Sequence, residues 1–370
     1  NLITTRALRE YMAPVIQEKT LLLQSILADK SETKEPFDMY KLMRQFTLDT
    51  FAEIGFGCHL EILTSGKEHP FEVAFDEANR ISSERFTKPT WLWKFQRFLN
   101  IGNERRLREA ISVMNEFSVD LIMEAMEQMK NSKPDEADVE SPAHKNIMAI
   151  LLSKKEAVTP TQVRDIVLTS LEARRNTTSD TLAWFFHSLS HHPQVERKLR
   201  AEIRSKLPKF GEIHIYVPSY EAVQDLPYLE ATLREALRLH PTGPSIPYHY
   251  QRDTVLQDET FISAGTDVFL HLYSAGRLTS AWGSDAASFN SQRFNDLTTG
   301  EVLPSKYSPF SSGPRVCIGR NLALLEMKIA IAAVVGRFRL CEEPAEDVRP
   351  ILDLTLTMKN PLMMRVGAAS

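Results

Sequence analysis

Residues Phe310 to Arg320, FSSGPRVCIGR, place Cys317 between Gly313 and Gly319, with Arg315 two positions before the sulfur. A thiolate is a soft metal ligand, and a helix N-terminus or a nearby cation favours its charged form. The sequence offers both, because RNLALLEMKIAIAAVVGRF after Gly319 reads as a helix whose N-terminal dipole points at the sulfur. The two glycines let the backbone come close to a flat group bound at that sulfur. Ligation of a haem iron from one side is the chemistry that suits such a loop. Arg315 is then placed to offset a haem propionate, and Phe310 to lie against the thiolate. Taken alone, Cys-x-Gly is also compatible with a cysteine acting as a small buried apolar side chain.

Patterns elsewhere add to the choice. In LREALRLHP, Glu235 and Arg238 stand at i and i+3 on one helix face, where carboxylate and guanidinium can pair. SFNSQRF adds Arg293 as a candidate third member of a buried Glu–Arg–Arg network, although an isolated Glu-x-x-Arg is equally a solvated surface pair. The stretch EARRNTT sets Glu172, Arg174, Arg175, Asn176, Thr177 and Thr178 in the middle of an otherwise apolar helix, where polar groups must be paired or functional. The aromatics Phe86, Trp91, Trp93, Phe95 and Phe98 suit a channel for an apolar substrate, a surface resting on a membrane, or a packed core. The single Gly-x-Gly, Gly55 to Gly57, has Leu60 where a dinucleotide site needs its third glycine. Electrons for redox chemistry must then come from another protein, and Lys306, Arg320 and Lys328 are candidates for its basic docking face.

The elements that must position these residues are mostly helical. Amphipathic periodicity predicts helices over RALREYMAPVIQEKTLLLQSIL, MYKLMRQFTLDTFAEI and RRLREAISVMNEFSVDLIMEAMEQM. Thr159 and Pro160 form an N-cap and first turn, and the helix that follows is expected to reach His192, where Pro193 stops it. One further helix is expected over SYEAVQDLPYLEATLREALRLHP. Strands are expected within TVLQDETFISAGTDVFLHLY and ILDLTLTMKNPLMMRV. Residues 131–145, NSKPDEADVESPAHK, read as an exposed linker.

Composition narrows the classes. With 370 residues, 43% hydrophobic and 25% charged, the chain can bury a large core. A net charge of -4 with dispersed basic residues gives no nucleic-acid footprint. Three scattered cysteines exclude a disulfide framework and point to a reducing, cytosol-facing compartment. The longest apolar run, LALLEMKIAIAAVV, is broken by Glu326 and Lys328 and does not span a bilayer. Because the chain opens on Asn1 inside a helical pattern, an upstream segment with any anchor is expected.

The order of long helix with a threonine pair, Glu-x-x-Arg, Phe-x-x-x-Arg-Phe, and Phe-x-x-Gly-x-Arg-x-Cys-x-Gly resembles the cytochrome P450 family over essentially the whole chain. The stretches RALREYM, HPFEVAFDEANR and PTWLWKFQRFLNIGNERRLREA are most similar to its long-chain fatty-acid ω-hydroxylase branch. The family's early helices, with a haem-contacting tryptophan and arginine, find no match.

This resemblance implies a single domain over residues 1–370, mainly α with a minor β part, in the cytochrome P450 fold. It implies haem (iron protoporphyrin IX) with Cys317 as the axial thiolate and metal ligand, Phe310, Gly313 and Gly319 around it, and Arg315 on a propionate. Glu235, Arg238 and Arg293 carry over as a structural network. The implied activity is monooxygenation of an apolar substrate, a long-chain fatty acid, with O2 and electrons from an NADPH-dependent flavoprotein reductase. Membrane contact and a place on the cytosolic face of the endoplasmic reticulum follow from the same likeness. In the family the central helix reads Ala/Gly-Gly-x-acid-Thr: the glycine leaves room for dioxygen, the acid relays protons and the threonine holds the oxygen molecule. Thr177 matches, whereas Arg174 stands for the glycine and Asn176 for the acid. Arg174 is expected to enter the oxygen groove, to pair with Glu172 or with a haem or substrate carboxylate, or to bend away. Asparagine cannot carry a proton at neutral pH. Loss of the acid suits an alternative, a haem-thiolate isomerase or dehydratase acting on lipid hydroperoxides. A non-catalytic haem- or lipid-binding relic is the other.

Overall fold

The Thr159 hydroxyl accepts a hydrogen bond from the Gln162 amide, and the Gln162 side chain accepts one from the Thr159 N–H. This capping box opens the central helix of the molecule, Pro160–Ser190. Its 31 residues make it about 46 Å long. It ends two residues short of the predicted His192, and the next helix, Pro193–Lys206, uses Pro193 in its own first turn. The computed structural model describes residues 3–131, 146–153, 159–212, 215–295, 306–344 and 348–367.

The other helices pack around this axis. Met39–Phe51 lies along it, with the Thr47 hydroxyl donating to the Arg175 carbonyl at 3.2 Å. Arg320–Arg337, the helix expected after the cysteine loop, buries Leu325 to Gly336 without a break. Trp184, Phe185 and Phe186 of the central helix and Ile329 to Val334 of this one are almost fully buried and share one hydrophobic core. The helix expected over residues 219–241 is split: a short 3-10 turn, Ala222–Asp225, precedes the helix Pro227–Leu239. Pro227 is the cause, because it lacks an N–H to continue the earlier turn and suits the first turn of a new helix. The predicted N-terminal helix also breaks: Leu8–Met12 forms a π turn before Ala13–Thr33, adjoining Pro14. The helix Gly102–Asn131 reaches the predicted linker, whose residues after Asn131 lie outside the described ones.

The β part is small and antiparallel. Ser245–His249 pairs with Asp267–His271, from Ser245 opposite His271 to His249 opposite Asp267. Thr254–Val255 pairs with Phe261–Ile262, and Pro350–Leu352 with Leu356–Met358. A fourth group orders Phe37–Asp38, Met363–Gly367 and Arg339–Glu342, so strands from opposite ends of the chain share one sheet. The strands Ser245–His249, Phe37–Asp38 and Arg339–Glu342 were not legible in the alternation pattern. Among the described residues no helix is long and apolar enough to cross a membrane.

Candidate active site

The cysteine loop is held open by its backbone. Ser311 and Gly313 adopt positive φ values of 60° and 67°. Gly313–Arg315 then forms a single 3-10 turn closed by Val316 N–H to the Gly313 carbonyl. The Cys317 N–H donates to the Phe310 carbonyl at 2.9 Å, which folds the loop back on itself. Gly319 caps the helix Arg320–Arg337, so Cys317 stands two residues before a helix N-terminus, as expected. Its thiol is free and exposed, as are Arg315, Val316 and Ile318, the last 76% accessible. Cavities of about 380 and 370 Å³ flank the loop. One lies against the hairpin, lined by Ile246, Tyr248, Leu270 and His271, and the other against Glu230, Arg234 and Arg320.

This donor set fits a haem. A thiol is presented to the open side among exposed apolar side chains, with a cation two residues away and a helix dipole behind it. Cys58, in contrast, is half-buried, and burial pushes its thiol up to about 12. Cys341 is exposed on the strand Arg339–Glu342, at the edge of the three-stranded sheet, with Arg365 opposite it. Phe310 reaches Cys317 through its carbonyl, while its ring packs partly against the core.

The Glu–Arg–Arg network is present and buried. Arg238 forms a two-pronged ion pair with Glu235, both bonds 2.7 Å, and neither side chain is exposed. The same guanidinium donates to the carbonyls of Gly276, Ala286 and Ser288. Glu235 also accepts from the Asn290 N–H at 2.7 Å. Arg293 lies 3.6 Å from Glu235, pairs with Asp285 at 2.7 Å and donates to the Trp282 carbonyl at 2.7 Å. A Cβ at Gly276 would collide with the Arg238 carbonyl oxygen, so this approach needs glycine. The network thus fixes the irregular chain between residues 276 and 293 that leads toward the cysteine loop.

On the central helix, Arg174 finds a partner other than those expected. Its guanidinium donates to Glu326 at 2.7 Å and lies 5.4 Å over the Phe51 ring. Glu326 is wholly buried; burial raises its pKa and Arg174 draws it back. Glu326 sits six residues into the helix that begins at Arg320, so the pair ties the central helix to the cysteine-bearing end of the chain. Sequence reasoning missed this partner, although a carboxylate within an apolar run was a visible signal. Arg175 is also wholly buried and pairs with Glu72 and Asp76. Burial raises the pKa of Glu172, and the nearby Asn79 acts in the opposite direction.

Ala173 is exposed and Thr177 partly so, giving the central helix an open face at its middle. The Thr177 hydroxyl donates to the Ala173 carbonyl at 2.8 Å, within its own helix. Asn176 is buried, and its Oδ1 has no hydrogen-bond partner. One turn later, Asp180 is fully buried against Thr355 and Tyr40, and burial pushes its carboxyl up to about 6. The sequence reading did not single out this acid.

One further expectation is corrected and one choice is narrowed. Lys328 is 9% exposed and pairs with Glu230 at 2.6 Å, so it cannot belong to a docking face, whereas Lys306 and Arg320 are exposed. The aromatic cluster is not core: no residue of the helix Thr90–Leu99 is buried, and Phe86, Trp91, Phe95 and Phe98 are exposed by 83%, 70%, 54% and 85%.

The same arrangement recurs in known proteins. The sequence pattern that defines cytochrome P450 matches residues 2–366. Cytochrome P450 94A2 of Vicia sativa is 34% identical over 94% of this chain and 67% of its own length. Cytochrome P450 94A1 of Vicia sativa is 32% identical over 92% and 65%, and cytochrome P450 86B1 of Arabidopsis thaliana 31% identical over 98% and 65%. The chain therefore spans about two thirds of the length of these relatives. The crystal structure of the cytochrome P450DA heme domain superposes with a TM-score of 0.79 at 24% identity, covering 97% of this chain and 73% of that one, which shows the shared fold. A free thiol on a glycine-bounded loop, a buried Glu–Arg–Arg network and a match over nearly every residue lead to one conclusion: the chain belongs to the cytochrome P450 family, whose haem is held by a cysteine thiolate.

Proposed function

We propose that the chain is a single haem domain of a monooxygenase that inserts one atom of O2 into an apolar substrate, a long-chain fatty acid. The observation that carries this reading is the exposed Cys317 thiol, set two residues before a buried helix that Arg174 and Glu326 tie to the central helix. When bound, a thiolate-ligated haem supplies O–O bond cleavage, with two electrons and two protons reducing the second oxygen atom to water. In this chain Cys317 would hold the iron, Arg315 would meet a propionate, and Phe310, Gly313 and Gly319 would shape the loop around the sulfur. Thr177 offers its hydroxyl on the open face of the central helix. Asn176 can accept a hydrogen bond from a water but does not release a proton, so water must carry the protons that a carboxylate would otherwise relay.

Electrons would come from an NADPH-dependent flavoprotein reductase docking near Lys306 and Arg320. The exposed apolar helix Thr90–Leu99 suits contact with a membrane, and the family likeness points to the cytosolic face of the endoplasmic reticulum. The deciding test is Cys317→Ala in the haem-loaded protein. It should abolish the thiolate band of the reduced carbon-monoxide complex, while Cys58→Ala and Cys341→Ala retain it; an intact band without Cys317 overturns the assignment.

The orphaned Asn176 Oδ1 favours one second reading, an isomerase or dehydratase that rearranges lipid hydroperoxides and needs no proton relay. Fatty-acid hydroxylation that depends on reductase supports the monooxygenase. Hydroperoxide turnover without reductase, together with no hydroxylation, supports the isomerase.

A further inference from the structure

The sequence FFHSLSHHP closes the central helix with His187 and His191 four residues apart, on one helix face. The strand Arg339–Glu342 passes beside this end and turns Glu342 toward it. The Glu342 carboxylate oxygen Oε2 lies 2.8 Å from His187 Nδ1 and 3.6 Å from His191 Nδ1. One donor atom from each of the three residues can be chosen so that all lie within 4.8 Å of one another.

We propose that His187, His191 and Glu342 form a binding site for one divalent transition-metal ion of the zinc class. Two imidazoles and a carboxylate are the donors that zinc takes, at about 2.0–2.2 Å, and tetrahedral bonds of that length hold donor atoms about 3.3 Å apart. The two distances from Glu342, 2.8 and 3.6 Å, bracket this value, so closure on the ion needs only side-chain adjustment. In the metal-free chain, His187 and Glu342 share a hydrogen bond and His191 Nδ1 rests 2.9 Å from the His187 carbonyl; the ion replaces both contacts. Ser190 donates to Glu342 Oε2 at 3.2 Å and orients the carboxylate from outside the ligand set. Entry is open, because the His191 side chain is 54% exposed while those of His187 and Glu342 are 21% and 15%. A fourth position toward solvent is left for water.

Such a site would clasp the end of the central helix to the sheet that joins the two ends of the described chain. The inference is independent of haem chemistry, since none of the three residues belongs to the cysteine loop. Its test is a titration of the haem-loaded protein with Zn2+, followed by calorimetry, and with Co2+, followed by visible absorption. The parent should bind one equivalent and develop a tetrahedral cobalt band. His191→Ala, at a position whose side chain is more than half exposed, should lose at least about tenfold in affinity together with the band, as should Glu342→Gln. Zn2+ should also raise the thermal midpoint of the parent by a few degrees and leave that of His191→Ala unchanged. The Soret spectrum should be the same in all three proteins. Binding in His191→Ala and Glu342→Gln within tenfold of the parent, or no binding in the parent, overturns the proposal.

Discussion

Arg174 and Glu326 allow a quantitative test of how the central helix is held. The two side chains are 8% and 0% exposed and meet at 2.7 Å. Removing one partner of a buried pair strands the other charge, at a cost of about 3–5 kcal/mol. Arg174→Met should therefore lose about that much stability, and Arg174→Gly about 1 kcal/mol more, because glycine disfavours a helix interior. Replacing both groups, in Arg174→Met/Glu326→Leu, removes the buried charges together and should recover most of the loss. The single loss carries a pH signature. Glu326 is already raised by burial, and without Arg174 its carboxyl rises further. A raised folded pKa means that stability is greatest below the unfolded value and falls as pH increases through the folded one. Arg174→Met should thus stand closer to the parent at pH 5 than at pH 8. Urea midpoints of the haem-loaded proteins, followed by far-ultraviolet circular dichroism and Soret absorption, measure these three variants together with Glu326→Leu. Additive single losses, with a coupling energy below about 0.5 kcal/mol, would refute the pair as the strut between these helices.

Three other outcomes are expected. Glu235→Ala, which strands the wholly buried Arg238, should give aggregated or haem-free protein, and a soluble haem-loaded variant of parental stability would contradict the network's role. Asp180 has its carboxyl pushed by burial from 3.8 to about 6, so the folded state binds its proton more tightly and stability should fall by about 2 kcal/mol as pH rises from 4 to 7; Asp180→Asn should flatten the urea-midpoint profile by that amount, and parallel profiles would refute it. Asn176→Asp should raise the product formed per NADPH consumed with long-chain fatty acids, because a carboxylate restores a proton carrier beside Thr177, and equal coupling in parent and variant would show that water already suffices.

What could be read from the sequence was local. The cap at Thr159, the glycine-bounded Cys317 and the i, i+3 spacing of Glu235 and Arg238 each depend on residues a few positions apart, and each stands as expected. The partner of Arg174 is 152 residues away, and no periodicity encodes a pairing at that distance. The strands Phe37–Asp38 and Arg339–Glu342 were missed for a related reason: they are two and four residues long, and their existence depends on Met363–Gly367 lying between them. Pro227 was visible, yet the expected helix runs through it, whereas the observed one starts there. The aromatics around Trp91 to Phe98 left channel, membrane surface and core open, since amphipathicity marks an apolar face without saying what covers it, and their exposure removes the core.

Arg238 and Gly276 hold one another twice, once through the guanidinium and once through backbone contact too close for any side chain. Substitution at either would be eliminated for failing to fold, whatever reaction the protein performs. A descendant that had abandoned oxygen chemistry would still have to keep Glu235, Arg238 and Gly276 in order to exist as a folded chain. These letters therefore identify the scaffold. The record of what the scaffold is used for is written at Ala173, Asn176 and Thr177, where an exposed side chain, an unpartnered amide oxygen and a part-exposed hydroxyl leave the residue type free to follow the chemistry.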